Sequence, residues 1–404
     1  MSDESEAIIE VVSGIAEVSA TEWDACAIPH PSTANPFISH AFLKALEDAG
    51  TVAPRTGWQP QHLVLRGPGG GIDGVMPLYA KSHSKGEYVF DYGWADAFER
   101  AGGAYYPKLL CAVPFTPVPG RRLLARPGSG EAERRQLLVA GAVQMADELS
   151  LSSVHVNFTT EEEWDALARM GFLKRTDQQF HWHNDGYDTF DSFLETLASR
   201  KRKAIRKERR DALTAGLEIR QLRGAEISEA DWDAFYDFYM DTGSRKWGRP
   251  YLNRTFFSLL GERMAEHCLL IMVTRGGKRI AGALNLIGGD CLYGRYWGCI
   301  EHHPCLHFEV CYYQSIEFAI QHKLARVEAG AQGEHKLARG YLPSATYSAH
   351  YIRNPSFRRA VESYLEGERR HVAHAREVLA EYGPYRRGPV GGGGDINPTD
   401  CDND

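Results

Sequence analysis

CLLIMVTRGGKRIAGALNLIGG, residues 268–289, reads as two β-rich runs around a Gly-Gly turn, the pattern of an antiparallel hairpin. An aromatic strand follows at CLYGRYWG, residues 291–298. The same succession occurs earlier in the chain. HLVLRGPGGGIDGVMPLYAK, residues 62–81, predicts a first hairpin, and VFDYGW, residues 89–94, the aromatic strand after it. Each aromatic strand leads to a helical stretch, 131–149 or 307–322, and then to a short strand, SSVHVNF at 152–158 or ARVEAGA at 325–331. Setting Gly171-Phe172-Leu173 over Gly340-Tyr341-Leu342 also brings His181-Trp182 over His350-Tyr351 at a constant offset. The chain therefore reads as two copies of one α/β unit.

HNDGYDT, residues 183–189, supplies turn residues ahead of a helical pattern in FDSFLETL, residues 190–197, and puts the boundary there. The expected division is a first unit over 1–186, a second over 187–382 and a Gly, Pro and Asp rich tail over 383–404 that reads as disordered. Within the second unit, GLEIRQL at 216–222 is the expected first strand. Helices at 229–242 and 254–267 follow, and Arg and Glu alternate at helical spacing over 356–382.

With 404 residues, a formal charge of -7 and 43% hydrophobic residues, the chain has the composition of a globular protein of two or three domains. No run approaches 18 apolar residues, and the first 24 hold seven acids and no Lys or Arg. Neither a membrane span nor a signal peptide is expected, so the reading is cytoplasmic, with no integral membrane association. Eight Cys without a C-x-x-C pair point to free thiols. Cys299, His302, His303, Cys305 and His307 lack the spacing of a zinc site, and no metal is expected.

The densest chemistry lies in EAGAQGEHKLARGYLP, residues 328–343, just after a predicted strand. Glu328, within a β-rich run, needs a partner or an upward pKa shift, which would suit a base. Gln332 and Glu334 are placed to orient an amine, and His335 to accept its proton near neutral pH. Glu334 is also a candidate base, while Lys336 and Arg339 suit phosphate or carboxylate. On the helix before it, Phe308, Tyr312, Ile316 and Ala319 form a face turned to the sheet, and Glu309 shares a neighbouring face with Tyr313. Tyr312 or Tyr313 is a candidate proton donor to a leaving group, Tyr312 being the one expected in the site, and Glu309 is a substrate contact.

SRKRKAIRKERR, residues 199–210, holds eight basic residues and one acid, and Lys203, Arg206, Lys207 and Arg210 are expected to bind phosphate. RPGSG at 126–130 opens a helix and could hold a pyrophosphate, but neither a Walker loop nor a G-x-G-x-x-G after a strand occurs. Trp94 in the first unit, and Arg245 and Trp247 in SRKWGRPYL, residues 244–252, are expected to wall a substrate cleft.

NPFISHAFLKALE at 35–47, VMPLYAK at 75–81, PFTPVPGRRLL at 114–124, LHFEVCYY at 306–313 and GAQGEHKLARGYLP at 330–343 resemble the Fem family of tandem GNAT proteins. The likeness is to bacterial N-acyltransferases described as peptidoglycan biosynthesis or recognition proteins, and it spans about 35–381. It implies an α/β fold of two GNAT-like units, each a mixed, mainly antiparallel sheet flanked by helices. It also implies acyl transfer to an amine by direct attack. Fem enzymes take aminoacyl-tRNA and GNAT enzymes acyl-CoA, and either donor is open here. The usual R/Q-x-x-G-x-G/A loop is absent, with EHHPCLH in the second unit and a degenerate RPGSG in the first. The acceptor implied is an amine-bearing small molecule or cell-wall precursor, with tRNA a candidate partner. The alternative is a GNAT-fold binding module without catalysis, for a cell-wall precursor or nucleic acid.

Overall fold

The structure, a computed structural model, describes residues 8–213, 216–246, 250–330 and 333–386; the side chains of Lys246 and Glu334 lie outside the description. Its contacts divide the chain into two compact units. One comprises Met1–Asp177 with Ala345–Val372, the other Gln178–Ser344 with the residues from Ala373 onward.

In the second unit, Leu217–Arg223, Cys268–Arg275, Lys278–Ile287 and Cys291–Cys299 form an antiparallel meander. The hairpin turn is Gly276-Gly277, both at positive φ (55° and 79°), the backbone a two-residue turn needs to match strand twist. CLLIMV is a continuous apolar run because both of its faces are covered. Leu269, Ile271 and Val273 belong to one core with the buried residues of helices 199–213 and 306–321. The opposite face receives the aromatic helix Glu229–Lys246, and a Cβ on Gly282, which lies there, would meet Phe235 at 3.3 Å and Phe238 at 3.8 Å. Gly298 permits that approach, since a Cβ there would meet Phe238 O at 2.2 Å. Helix Arg254–Met264 begins where Asn253 accepts the Phe256 N–H at 3.0 Å, and buries Phe256, Phe257, Leu260 and Met264 along one stripe.

Arg326–Glu328 joins parallel to Cys291–Cys299, and the end of Leu173–His183 pairs antiparallel with it. In the first unit, His62–Arg66 and Ile72–Met76 form the expected hairpin. Past Pro77 the chain leaves that sheet, and Leu78–Lys81 joins another with Lys108–Cys111 and Ser153–Thr159. VFDYGW is not a strand: Tyr92–Arg100 is a helix, because Trp94, Ala95 and Phe98 share the side that packs on Tyr105 and Phe357.

The two strands matched by the internal repeat, Leu173–His183 and Leu342–Ile352, each end in the sheet of the other copy. His181–His183 pair with Arg326–Glu328, and Tyr347–Ile352 with Ser153–Thr159. The contacts thus divide the chain within those strands, at Asp177 and Ser344, rather than by one cut at residue 186. The start of the tail is also ordered. Tyr385 bridges Leu197 and donates its hydroxyl to Gly340 O at 2.8 Å, and Pro384 O accepts from Ala198 N; residues 387–404 lie outside the described part. Among the described residues no helix is long and apolar enough to cross a membrane.

Candidate active site

The parallel pair Cys291–Cys299 and Arg326–Glu328 stays in register only from Cys291↔Arg326 to Tyr293↔Glu328. Beyond that the strands part. On the other edge of the same strand Asn285 faces Gly294 and Leu284 faces Tyr296, so Arg295 is the extra residue of a bulge. A cavity of about 130 Å³ lies at this fork, with Asn285, Arg295, Trp297, His307, Cys311 and Tyr312 in its wall. The last two come from a π-helical turn, Glu309–Tyr313, inside the helical stretch 306–321. Such turns insert a residue and re-aim the side chains around it.

Tyr312 is buried, and its hydroxyl lies 2.8 Å from His335 Nε2. His335 stands on the short 3₁₀ helix Glu334–Arg339. Gly333 makes room for it: φ is 115°, and a Cβ there would strike the His335 ring at 2.5 Å. The glycine-rich loop thus brings together the sequence candidates His335 and Tyr312. Of the others in the loop, Gln332 lies outside the described residues, as does the side chain of Glu334.

Glu328 is not a base with a raised pKa. Burial alone would raise it, but His181, Arg295 and Arg326 together outweigh burial and hold the carboxyl below its ordinary range. Arg326 lies 3.2 Å and Arg295 3.5 Å from it. Lys336 is not on the surface to meet a phosphate. It is buried and donates to Ala329 O at 2.7 Å and Gly330 O at 3.2 Å. Burial lowers its pKa to about 7, with Cys311 opposing and Arg295 adding to the shift. Arg339 is also buried, donating to His335 O at 2.7 Å and Glu208 at 2.9 Å over the Phe308 ring. Glu309 is fully buried and held by both arms of Arg209 at 2.9 and 3.0 Å, with Gln314 donating at 2.8 Å. Lys336, Arg339 and Glu309 brace the site's frame; none of them is in the cavity wall.

On helix Ser199–Leu213 only Ile205 and Ala212 are buried. Arg209 and Glu208 turn inward to the pairs just described, and this orientation leaves Lys203, Arg206, Lys207 and Arg210 exposed along one face; Arg206 contacts Asp191 at 2.9 Å. Trp94 is buried in the first unit, 5.0 Å from the His350 ring and under Arg175. Arg245 is an exposed side chain paired with Asp241 at 2.5 Å and His302 at 2.9 Å; Trp247 lies outside the described residues. Among the described residues no group of three or more His, Cys, Asp or Glu side chains is arranged to hold a metal ion.

The first unit has the same parallel step, Leu109–Cys111 beside Val154–Val156. There the space past the step is filled. Arg122, fully buried, donates Nε to Asn157 O at 2.9 Å, and Glu163 accepts the Arg122 and Leu123 N–H groups.

Asn285, Arg295, Trp297 and Cys311 escape the sequence reading, and His307 enters it only within the Cys/His cluster rejected as a zinc site. A signal for Arg295 exists: it is the one charged residue of CLYGRYWG, a strand otherwise built for burial.

The family described as peptidoglycan biosynthesis/recognition matches residues 14–387. The chain belongs to this FemAB-like family. No curated protein sequence matches it. Among solved structures, the crystal structure of FemX aligns with a TM-score of 0.55 at 14% identity, covering 85% of this chain and 98% of that one. The C-terminal domain of a candidate lysylphosphatidylglycerol synthetase from Agrobacterium fabrum aligns at 0.53 and 8% identity, covering 88% and 97%. At such identities the likeness is one of fold. Family and fold agree with the expectation of a Fem-like acyltransferase of mixed α/β fold.

Proposed function

We propose that the second unit transfers an acyl group from a phosphate-bearing donor to a primary amine by direct attack. The donor is an aminoacyl-tRNA or an acyl-CoA, and the acceptor an amine-bearing small molecule; a peptidoglycan precursor fits the family's description. The reaction takes place in the cytoplasm, where both donors are made. The observation that carries this reading is Tyr312 in the wall of the fork cavity, with its hydroxyl 2.8 Å from His335 Nε2.

The amine nitrogen attacks the donor's carbonyl carbon. A C–N bond forms, the C–O bond of an ester or the C–S bond of a thioester breaks, and the amine's surplus proton must reach the departing atom. The Tyr312 oxygen takes that proton as its own passes to His335 Nε2, and the reverse transfer delivers a proton to the leaving group. Neither residue is consumed. Backbone N–H groups at the edge of the fork meet the tetrahedral oxyanion, while Lys203, Arg206, Lys207 and Arg210 hold donor phosphates. The filled space in the first unit favours the second as the reacting one.

Turnover is measured with each donor class supplied separately to a panel of amine acceptors. Tyr312→Phe and His335→Gln are each expected to lower it about 10²–10³-fold, with donor binding changed less than about threefold. Wild-type rates in both variants would sink the assignment.

A further inference from the structure

Parallel strands that are paired over three residues have every reason to continue pairing over a fourth, because each ladder hydrogen bond adds stability. At the fork they do not, and the carbonyls there are taken up by two basic side chains. Arg295 Nη1 donates to Gly294 O at 2.9 Å and to Glu328 O at 3.3 Å, one from each strand. Lys336 Nζ donates to Ala329 O and Gly330 O, the next two carbonyls along the same edge. These side-chain bonds satisfy carbonyls that the ladder would otherwise pair. The Arg295 side chain, the extra residue of the bulge, also stands in the cavity wall and pairs with the Glu328 carboxylate. The close approach this requires is met by Gly294, where a Cβ would lie 3.2 Å from Asn285 Oδ1.

We propose that Arg295 and Lys336 are positioning residues, a two-residue wedge that keeps the strands apart and so maintains the opening into which the acyl donor enters. The use of the opening rests on the acyl-transfer reading above; the wedge itself does not. Arg295 works through the carbonyls of both strands, and Lys336 extends the same support beyond the strand end, where the glycine-rich loop begins. Without them Gly294 and Ala329 draw together and the opening narrows.

Cys311 reports on the opening without any substrate. It is the half-buried thiol in the cavity wall, whereas the other cysteines of the described residues are buried. The full chain in a Cys401→Ser background is treated with a maleimide reagent, and labelling of Cys311 is followed by peptide mass spectrometry. Arg295→Met and Lys336→Met are each expected to slow labelling at least fivefold with an unchanged circular dichroism spectrum. Arg295→Lys and Lys336→Arg should return it to within twofold of wild type. In turnover the Met variants should raise the donor KM at least tenfold and change kcat less than threefold. Labelling of Cys311 at or above the wild-type rate in both Met variants overturns the wedge, whatever happens to turnover. Should Arg295→Met not fold, Lys336→Met decides alone. A chain without acyl transfer but with slowed labelling in the variants would refute the proposed reaction and leave the wedge standing.

Discussion

Replacing Lys336 by Met removes a positive charge from the interior of the second unit, and the effect on stability should depend on pH in a calculable way. Burial lowers the folded-state pKa from 10.5 to about 7. Below about pH 7 both folded and unfolded chains bind the proton, and the burial cost stands in full at about 5 kcal/mol. Between about 7 and 10.5 the unfolded chain holds a proton that the folded chain has released. Stability therefore rises with pH, by about 1.4 kcal/mol per unit. Met carries no such cost but leaves Ala329 O and Gly330 O without the lysine, a loss of about 1–3 kcal/mol each if they stay dry. These opposing terms nearly cancel near pH 7, so the two proteins should unfold at similar urea concentrations there. At pH 9 the wild type should gain about 2.5 kcal/mol relative to Lys336→Met. Lys81 and Glu87, whose pKa values burial moves down and up to about 7, are present in both proteins and drop out of the difference. Urea titrations at pH 7 and 9 on both proteins give the result directly. A difference that stays constant between the two pH values would refute a buried, titrating Lys336.

Glu309→Ala leaves Arg209 with Glu317 alone, at 2.8 Å, and Gln314 without its acceptor, and a loss of about 1–3 kcal/mol in unfolding free energy is expected; equal stability by thermal melting would mean the Glu309 pair is solvated. Gly298→Ala drives a methyl group into the backbone of helix Glu229–Lys246 and should cost about 1–3 kcal/mol by the same measurement. Charge reversal at Lys203, Lys207 and Arg210 should weaken donor binding at least tenfold at low salt and flatten its dependence on ionic strength. An unaltered salt slope in isothermal titration would remove the basic helix from the donor site.

What the residues alone reveal follows from how far apart the interacting groups lie along the chain. The Gly276-Gly277 hairpin and the capped helix after Asn253 are local, and both are legible. Glu328 invites reading as a base because two of the groups that hold it charged, His181 and Arg295, sit on strands remote in sequence. Glu309 meets Arg209 a hundred residues away, which no helical periodicity can report. Arg295 becomes the odd residue of a bulge only through its register with Leu284 and Asn285. His335 and Tyr312 were visible as chemistry, but their meeting depends on a π turn and on the room that Gly333 leaves. VFDYGW misleads because β-prone aromatics obscure the helical spacing of Trp94 and Phe98, which the surrounding core selects.

The exchange of final strands bears on synthesis at the ribosome. Ser153–Thr159 emerges early, yet its antiparallel partner Tyr347–Ile352 is translated roughly 190 residues later, a delay of roughly 10–40 s at ordinary elongation rates. Over that interval the nascent chain presents a bare sheet edge. Its production should therefore depend on holding chaperones and on codon tempo in the second half of the message, and a gene severed at its midpoint should yield two insoluble fragments rather than two domains.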